Sequence, residues 1–236
     1  MKKIFSKHLL TLIAFIGVSF GMDSNGVFIG AGYQQGVAQM QSNINKIKER
    51  TNTEIQGFGV MLGYQFFFGK YLGLRAYGFF DYAHADSVKL KNPKYKAIPQ
   101  VAQKAGLSSL SNKLNPPTFE PNMLTYGGAA DLMLNFINNG IMSLGVFGGV
   151  QFAGNSWIMA NPSFEGIINA QTRLSKKATS FQFLFNVGAR LRILKHSSIE
   201  GGVKFPMLKN PFITAKNMDL SFRRVYSWYV NYVFTF

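Results

Sequence analysis

Along most of this chain apolar and polar residues alternate with a period of two, and the alternation is plainest at the C-terminal end. From Tyr226 onward, Tyr226, Trp228, Val230, Tyr232, Phe234 and Phe236 fall on one face, and Ser227, Tyr229, Asn231, Val233 and Thr235 on the other. The first face is apolar and aromatic without a break. The second is mixed. Residues 220–236 thus read as one long strand with the outer face that a lipid-facing barrel strand presents. Such a strand cannot lie open in hydrocarbon, because each unpaired edge N–H or C=O costs several kcal/mol. The pattern asks for a closed barrel, with the missing strands upstream.

Seven further segments supply them. Residues 27–34 place Val27, Ile29, Ala31 and Tyr33 on one face. Residues 55–68 place Phe58, Val60, Leu62, Tyr64, Phe66 and Phe68 outward, with Gly57, Gly59, Gly63 and Gln65 opposite. Residues 71–85 put Leu72, Leu74, Ala76, Phe80 and Tyr82 outward and Arg75, Tyr77 and Asp81 inward. Residues 122–137 put Leu124, Tyr126, Leu132, Leu134 and Phe136 outward and Thr125, Asp131 and Asn135 inward. Residues 141–155 alternate Met142, Leu144, Val146, Val150 and Phe152 with Ser143, Gly145, Gly149 and Gln151. Residues 178–194 alternate Phe181, Phe183, Phe185, Val187, Ala189, Leu191 and Ile193 with Gln182, Asn186, Gly188, Arg190 and Arg192. Residues 198–207 face Ile199, Val203 and Phe205 outward and Glu200 and Lys204 inward. The fold class expected is all-β: an eight-stranded antiparallel transmembrane barrel of the outer-membrane type.

The connections alternate in length. Polar residues 36–54, 86–121, 156–177 and 208–218 read as long loops, whereas Gly69-Lys70, Asn138-Asn139-Gly140 and Lys195-His196-Ser197 read as tight turns. Short periplasmic turns and longer extracellular loops are the habit of such barrels. Centring the turns on Gly69, Asn139 and His196 pairs Gln65 with Gly73, Asn135 with Ser143 and Arg192 with Glu200, inward against inward. Within the longest loop, residues 101–114 could form a short helix.

Composition sharpens this picture. Hydrophobic residues make up 47% of 236, yet mean hydropathy is only +0.05. No run reaches the roughly 18 apolar residues of a membrane-spanning helix, so the apolar content is spread by alternation. Aromatics at 15% and 24 glycines suit lipid-facing, closely packed strands. The absence of cysteine excludes disulfides and thiolate metal sites. Lys2, Lys3 and Lys7 followed by the apolar stretch 9–20 read as a secretory signal, with cleavage after Gly21; residues 22–236 are then the barrel. Cleavage lowers the net charge from +15 to about +12.

An eight-stranded barrel has an interior just wide enough for side chains to fill. The inward charges Arg75, Asp81, Asp131, Arg190, Arg192, Glu200 and Lys204 therefore read as a cross-linked plug of structural role, because an unpaired charge there would cost several kcal/mol. The alternative is a narrow, anion-preferring channel. Lys89, Lys91, Lys94, Lys96, Lys104 and Lys113 make the 86–121 loop basic, among turn formers Pro93, Pro99, Pro116 and Pro117. In an exported barrel, such lysines face solvent or lipopolysaccharide phosphate rather than nucleic acid.

Catalytic and cofactor chemistry finds little to stand on. His8 leaves with the signal, His196 sits in a periplasmic turn, and His84 lies at the outer end of its strand near Asp81, Asp86 and Ser87. No histidine is placed with both a nucleophile and an orienting acid, with the one exception of His84 and a loop serine such as Ser87, whose other reading is an interfacial histidine. There is no glycine-rich phosphate loop and no His/carboxylate metal spacing, so no cofactor and no enzyme is expected.

Three segments carry a family resemblance. Phe222-Arg223-Arg224-Val225-Tyr226-Ser227-Trp228-Tyr229-Val230-Asn231-Tyr232-Val233-Phe234-Thr235-Phe236 closely resembles the terminal strand of the Helicobacter outer-membrane proteins, the Hop and Hor groups. Gly201-Gly202-Val203-Lys204-Phe205-Pro206 with Asn210-Pro211-Phe212 resembles that family's penultimate hairpin. Asn25-Gly26-Val27-Phe28-Ile29-Gly30-Ala31-Gly32-Tyr33-Gln34 with Ala38-Gln39-Met40 is similar to its N-terminal motif. The resemblance implies a barrel in the outer membrane of a Gram-negative bacterium, with a C-terminal strand read by the assembly machinery. The family's adhesins carry a large extracellular domain with cysteine-bridged loops. This chain has neither, which makes a small Hor-type member the better match. The expected role is structural or surface-interactive, in a monomer bathed in outer-membrane lipid and lipopolysaccharide. The alternatives are the narrow channel and an adhesin that holds a host surface ligand through its basic loops.

Overall fold

The computed structural model describes residues 25–44, 47–85, 88–89, 118–119, 121–139, 141–159, 175–176, 179–215 and 218–236. Twelve strands appear among them: β1 Gly26–Ile44, β2 Ile47–Phe67, β3 Leu72–Ala85, β4 Val88–Lys89, β5 Thr118–Phe119 and β6 Pro121–Asn138 come first. β7 Met142–Met159, β8 Ser175–Lys176, β9 Thr179–Ile193, β10 Ser197–Pro206, β11 Asn210–Ala215 and β12 Met218–Thr235 follow. Eight of them form the wall, in the order β1, β2, β3, β6, β7, β9, β10, β12, and β12 returns to pair antiparallel with β1. Phe28 meets Thr235 and Tyr33 meets Val230, so the sheet has no open edge at membrane depth. The barrel is closed, eight-stranded and antiparallel.

The alternation explains the wall. The outward rows of β2, β9 and β12 are exposed, as at Leu62, Phe181 and Tyr232, while their neighbours Met61, Gln182 and Val233 are buried. Apolar side chains stand outside and polar ones inside, the inverse of a soluble β-sandwich.

Three features depart from the sequence reading. Residues 36–54 and 208–218 are strand for much of their length: β1 and β2 run on to an Ile44–Ile47 pairing, and β11 pairs with the outer half of β12. Crossing a bilayer takes about 9–11 tilted residues. β1 and β2, at 19 and 21 residues, therefore rise beyond it. There the outward row meets water and turns polar, as at Gln39, Asn52 and Glu54, while Ala38 and Met40 stay buried, so an apolar outer face no longer marks the strand. Likewise β7 continues through Ser156 to Met159.

The registers also shift by two residues while keeping parity. Gln65 lies opposite Arg75, Asn135 opposite Gly145, and Arg192 opposite Ser198. The turn geometry is the cause. Gly69 takes the positive φ of 103° while Phe68 N–H donates to Leu72 O, which centres that loop on Lys70. Leu194, φ 66°, opens the β9–β10 turn one residue earlier than expected. In β6 a bulge at Phe136 moves the register. Gly140, the signal segment and residues 101–114 lie outside the described residues.

β10 ends at Pro206, one further backbone bond to β9 follows, from Met207 N–H to Phe183 O at 2.9 Å, and the chain passes to β11 through residues 207–209. Gln182 bridges the gap, donating from Nε2 to Leu208 O at 3.0 Å and accepting Leu208 N–H at 2.9 Å.

Inward glycines let the wall approach its neighbours. A Cβ on Gly149 would collide with Ala130 O and the Asp131 carboxylate, whereas one on outward Gly128 would meet nothing within 4 Å. Gly149→Ala is expected to destabilise the barrel by about 1–3 kcal/mol, the scale of overpacking. Gly128→Ala should stay within about 0.5 kcal/mol of the parent. Urea midpoints followed by heat-modifiable gel migration check both.

Candidate functional site

Pairing across the wall sets the lumen's chemistry before any tertiary contact is made. β3 against β6 places Arg75 beside Asp131, and β9 against β10 places Arg190 beside Glu200. These are opposite charges on one face of adjacent strands, so each ladder carries a local ion pair into the interior. The narrow barrel then brings the two ladders together.

Arg75 is the meeting point. Its Nε donates to Asp131 Oδ2 at 2.8 Å, and its Nη1 donates to Glu200 Oε1 and Oε2 at 2.7 and 2.8 Å. The guanidinium carbon also lies 4.5 Å from the Phe147 ring centroid and 5.2 Å from that of Tyr77. One planar cation is thus held by two carboxylates and stacked between rings, a use to which lysine is poorly suited. Arg190 adds a 3.6 Å approach to Glu200 and donates from Nε and Nη2 to Ser198 Oγ at 3.3 and 3.2 Å.

Asn186 links this node to its neighbours. Its Nδ2 donates to Asp131 Oδ2 and Tyr77 Oη at 3.3 Å, and its Oδ1 accepts from Tyr229 Oη at 2.7 Å. Gln151 donates to Tyr77 Oη at 3.1 Å. Toward the long-loop end, Lys204 Nζ donates to Asp81 Oδ2 at 2.7 Å and lies 5.2 Å from the rings of Phe79 and Tyr229. Beside this pair is a void of about 10 Å³, lined by Arg75, Tyr77, Asp81 and Lys204, which is room for about one water. Above it Trp157 stacks on Phe222, centroids 5.0 Å apart, and both are buried. At the short-turn end Arg192 Nη2 donates to Asn138 Oδ1 at 3.3 Å.

All seven charges read as inward are therefore in the lumen and buried, and six of them join through direct ionic contacts into the Arg75 and Asp81 groups. Arg192 lies at the turn, bonded to Asn138. On the outside Tyr226, Trp228, Val230, Tyr232 and Phe236 are exposed, while Phe234 is half-covered by His196, whose ring stacks on it at 5.7 Å. His196 Nδ1 also lies 2.7 Å from Thr235 O, tying the β9–β10 turn to the end of the chain. His84 Nδ1 is 2.6 Å from Asn122 Oδ1; Ser87 and Asp86 lie outside the described residues. Of the loop lysines only Lys89 is described, in β4, where it pairs with Thr118. Lys91, Lys94, Lys96, Lys104 and Lys113 lie outside.

The sequence profile of the Helicobacter outer membrane proteins matches residues 59–236. The chain belongs to the Helicobacter outer membrane protein family. As a family member it is a β-barrel protein of the outer membrane, set in lipid and lipopolysaccharide. The similarity noted at residues 25–40 falls outside the matched span. OprG of Pseudomonas aeruginosa shares the fold, with 10% identity and a TM-score of 0.51 over 92% of this chain and 98% of that one. Ail, the attachment invasion locus protein of Yersinia pestis, aligns with 10% identity and TM-score 0.35 over 88% of this chain and 98% of its own. The outer membrane protease OmpT of Escherichia coli aligns with 8% identity and TM-score 0.41 over 93% of this chain and 99% of its own. No curated protein matches significantly.

Trp157 and Arg224 are among the lumen residues that the sequence pattern does not reveal. Trp157 lies in a stretch, 156–177, that the sequence pattern reads as loop. Arg224 faces inward because Val225 is a bulge in β12, opposite the Val37/Ala38 step. The signal for it was present: Val225-Tyr226 interrupts the alternation that begins again at Tyr226. Asn186→Leu in this Helicobacter family barrel would strand Tyr229 Oη and one side of Asp131. It is expected to cost about 1–3 kcal/mol in urea titration, against less than about 1.5 kcal/mol for lipid-facing Val187→Leu.

Proposed function

We propose that this protein is a structural, surface-interactive barrel of the small Hor type, a monomer with a lumen plugged by its own side chains. The observation that carries the reading is Arg75, held by Asp131 and Glu200 and stacked on Phe147 and Tyr77 across the middle of the lumen. A conducting path would have to part these ion pairs in a low-dielectric interior, at a cost of several kcal/mol. With the lumen filled, contact with the surroundings falls to the long-loop rim. Its basic segment, Lys89 to Lys113, suits an anionic surface such as lipopolysaccharide phosphate. A host surface ligand would engage the same rim. The exposed aromatic face of β12, ending at Phe236, suits recognition by the assembly machinery after a signal at 1–21 is cleaved.

A non-enzymatic role fits the same features, because His84 and His196 sit at opposite ends of the barrel, each with an amide partner rather than an acid. The second reading, a narrow anion-preferring channel, draws on a charge imbalance: buried Arg75, Arg190, Arg192, Lys204 and Arg224 outnumber Asp81, Asp131 and Glu200 among the described residues.

Conductance in a planar bilayer separates the two. Refolded protein with heat-modifiable migration is expected to give no steady openings at about 100 mV, where one elementary charge crossing gains about 2.3 kcal/mol. Stable anion-preferring openings that change with Arg190→Gln would overturn the plug.

A further inference from the structure

Toward the long-loop end the outer wall carries a belt of rings. Trp228 and Tyr33 pack edge to face with centroids 5.7 Å apart, and Phe58 and Tyr82 lie 5.6 Å apart on the next two strands. Such a girdle marks where a barrel wall leaves hydrocarbon and enters the headgroup layer. Above it the outward row of β12 continues from Trp228 to Tyr226 and then to Arg223, because the bulge at Val225 turns Arg224 into the lumen and Arg223 out of it. Arg223 stands one row above Tyr226, about 5 Å higher at the usual strand rise and tilt. Its neighbour on β1 is Gln39, and Gln41, one row higher, lies opposite Arg50 of β2. Arg50 is exposed; Arg223 is half-exposed, and its Nε makes no hydrogen bond. Between the two cations Gln41 Nε2 donates to Gln39 Oε1, and Gln39 Nε2 donates to Asn52 Oδ1 at 3.0 Å. Adjacent strands lie about 4.8 Å apart, which puts the two arginine Cα atoms about 12 Å apart, within the combined reach of two such side chains.

We propose that Arg223 and Arg50, with the Gln39 and Gln41 amides between them, form a binding site on the outer wall for the phosphorylated sugar headgroup of an outer-leaflet lipid. Depth selects the occupant. A guanidinium on an outward row is costly in hydrocarbon, but at headgroup level it meets phosphate, which accepts charge-assisted, bidentate bonds from it. Two cations about 12 Å apart suit a headgroup that carries its phosphates on a sugar frame better than a single phosphodiester. The amides between them offer donors and acceptors to the sugar hydroxyls. Below, exposed Trp228 and Val230 give the acyl chains an apolar wall to lie against. Glu54, opposite Val37 and one row nearer the belt than Asn52, is the carboxylate on this face that opposes a phosphate. The inference deepens the surface reading above, resting on it only for the outer-leaflet setting. It places the phosphate on the wall instead of the loop lysines, and it holds for a plugged or a conducting lumen.

The test uses the full refolded chain in detergent micelles, with heat-modifiable migration as the check that each variant folds. Bisphosphorylated lipid A is titrated in, and the lipid-bound fraction is read by native mass spectrometry. Arg223→Gln and Arg50→Gln are each expected to weaken binding about tenfold, the scale of one charge-assisted contact. Glu54→Gln should tighten it. Lipid A stripped of its phosphates should bind the parent no better than the intact lipid binds Arg223→Gln. Lys195→Gln, in a turn at the other end of the barrel, should stay within about twofold of the parent. A combined Lys91→Gln, Lys94→Gln and Lys96→Gln variant separates this site from the basic loop and should keep the parent's dependence on Arg223. Parent affinity in either arginine variant, indifference to dephosphorylation, or inorganic phosphate held as tightly as the lipid would overturn the proposal. So would a loss confined to the loop variant, which would move the lipid to the loop lysines.

Discussion

A strand in hydrocarbon must find a partner for every N–H and C=O, and in this chain that demand is met by joining the first strand to the last. The β1–β12 ladder, from Phe28–Thr235 outward, converts eight strands into a wall without an edge. Everything else in the structure follows from that closure. With each strand facing lipid on one side, the outward residues at membrane depth must be apolar, and alternation puts the polar side chains there into one narrow interior.

Eight strands leave that interior no wider than side chains can fill. The charges have nowhere to go but toward each other. Arg75 meets two carboxylates at hydrogen-bond distance, and it does so while pressed between aromatic rings. Ring and charge alternate along the axis: Phe67 under Arg190, Phe147 against Arg75, Phe79 beside Lys204, and the Trp157–Phe222 stack above them. The rings exclude water and leave the ion pairs little to exchange with. The same crowding explains the inward glycines, which sit where a Cβ would strike the neighbouring backbone.

What could be read from sequence tracks where the membrane lies. Within the hydrocarbon the solvent on the two faces differs, so Phe58, Val60, Leu62 and Tyr64 announce their strand and face, and Arg75, Asp131 and Glu200 announce the lumen. Beyond it the outer face turns polar, at Gln39, Asn52 and Glu54, and the apolar row that marks a strand is lost. The outer halves of β1 and β2 consequently read as loop, although the ladder continues to Ile44 and Ile47. Turn chemistry gave parity and missed register by two residues, because the positive-φ position, not the centre of the polar run, decides the pairing. Arg224 was hidden by a single bulged residue, Val225, which shifts the inward row of β12 by one. Trp157 was lost with the extension of β7, and which charges meet across the lumen depends on register and curvature, which no single segment encodes.

The account rests on the lumen being one interlocked network rather than a set of separately buried charges. A double-mutant cycle on Arg75→Met and Glu200→Gln, read as unfolding free energies in urea, tests that most directly. Because the two groups are locked at 2.7 Å and both are buried, the account predicts a coupling energy of about 1.5–3 kcal/mol. The double variant should accordingly be far more stable than the sum of the two single losses. Additive losses, with coupling below about 0.5 kcal/mol, would mean that the two charges are held independently and would contradict the interlocked plug.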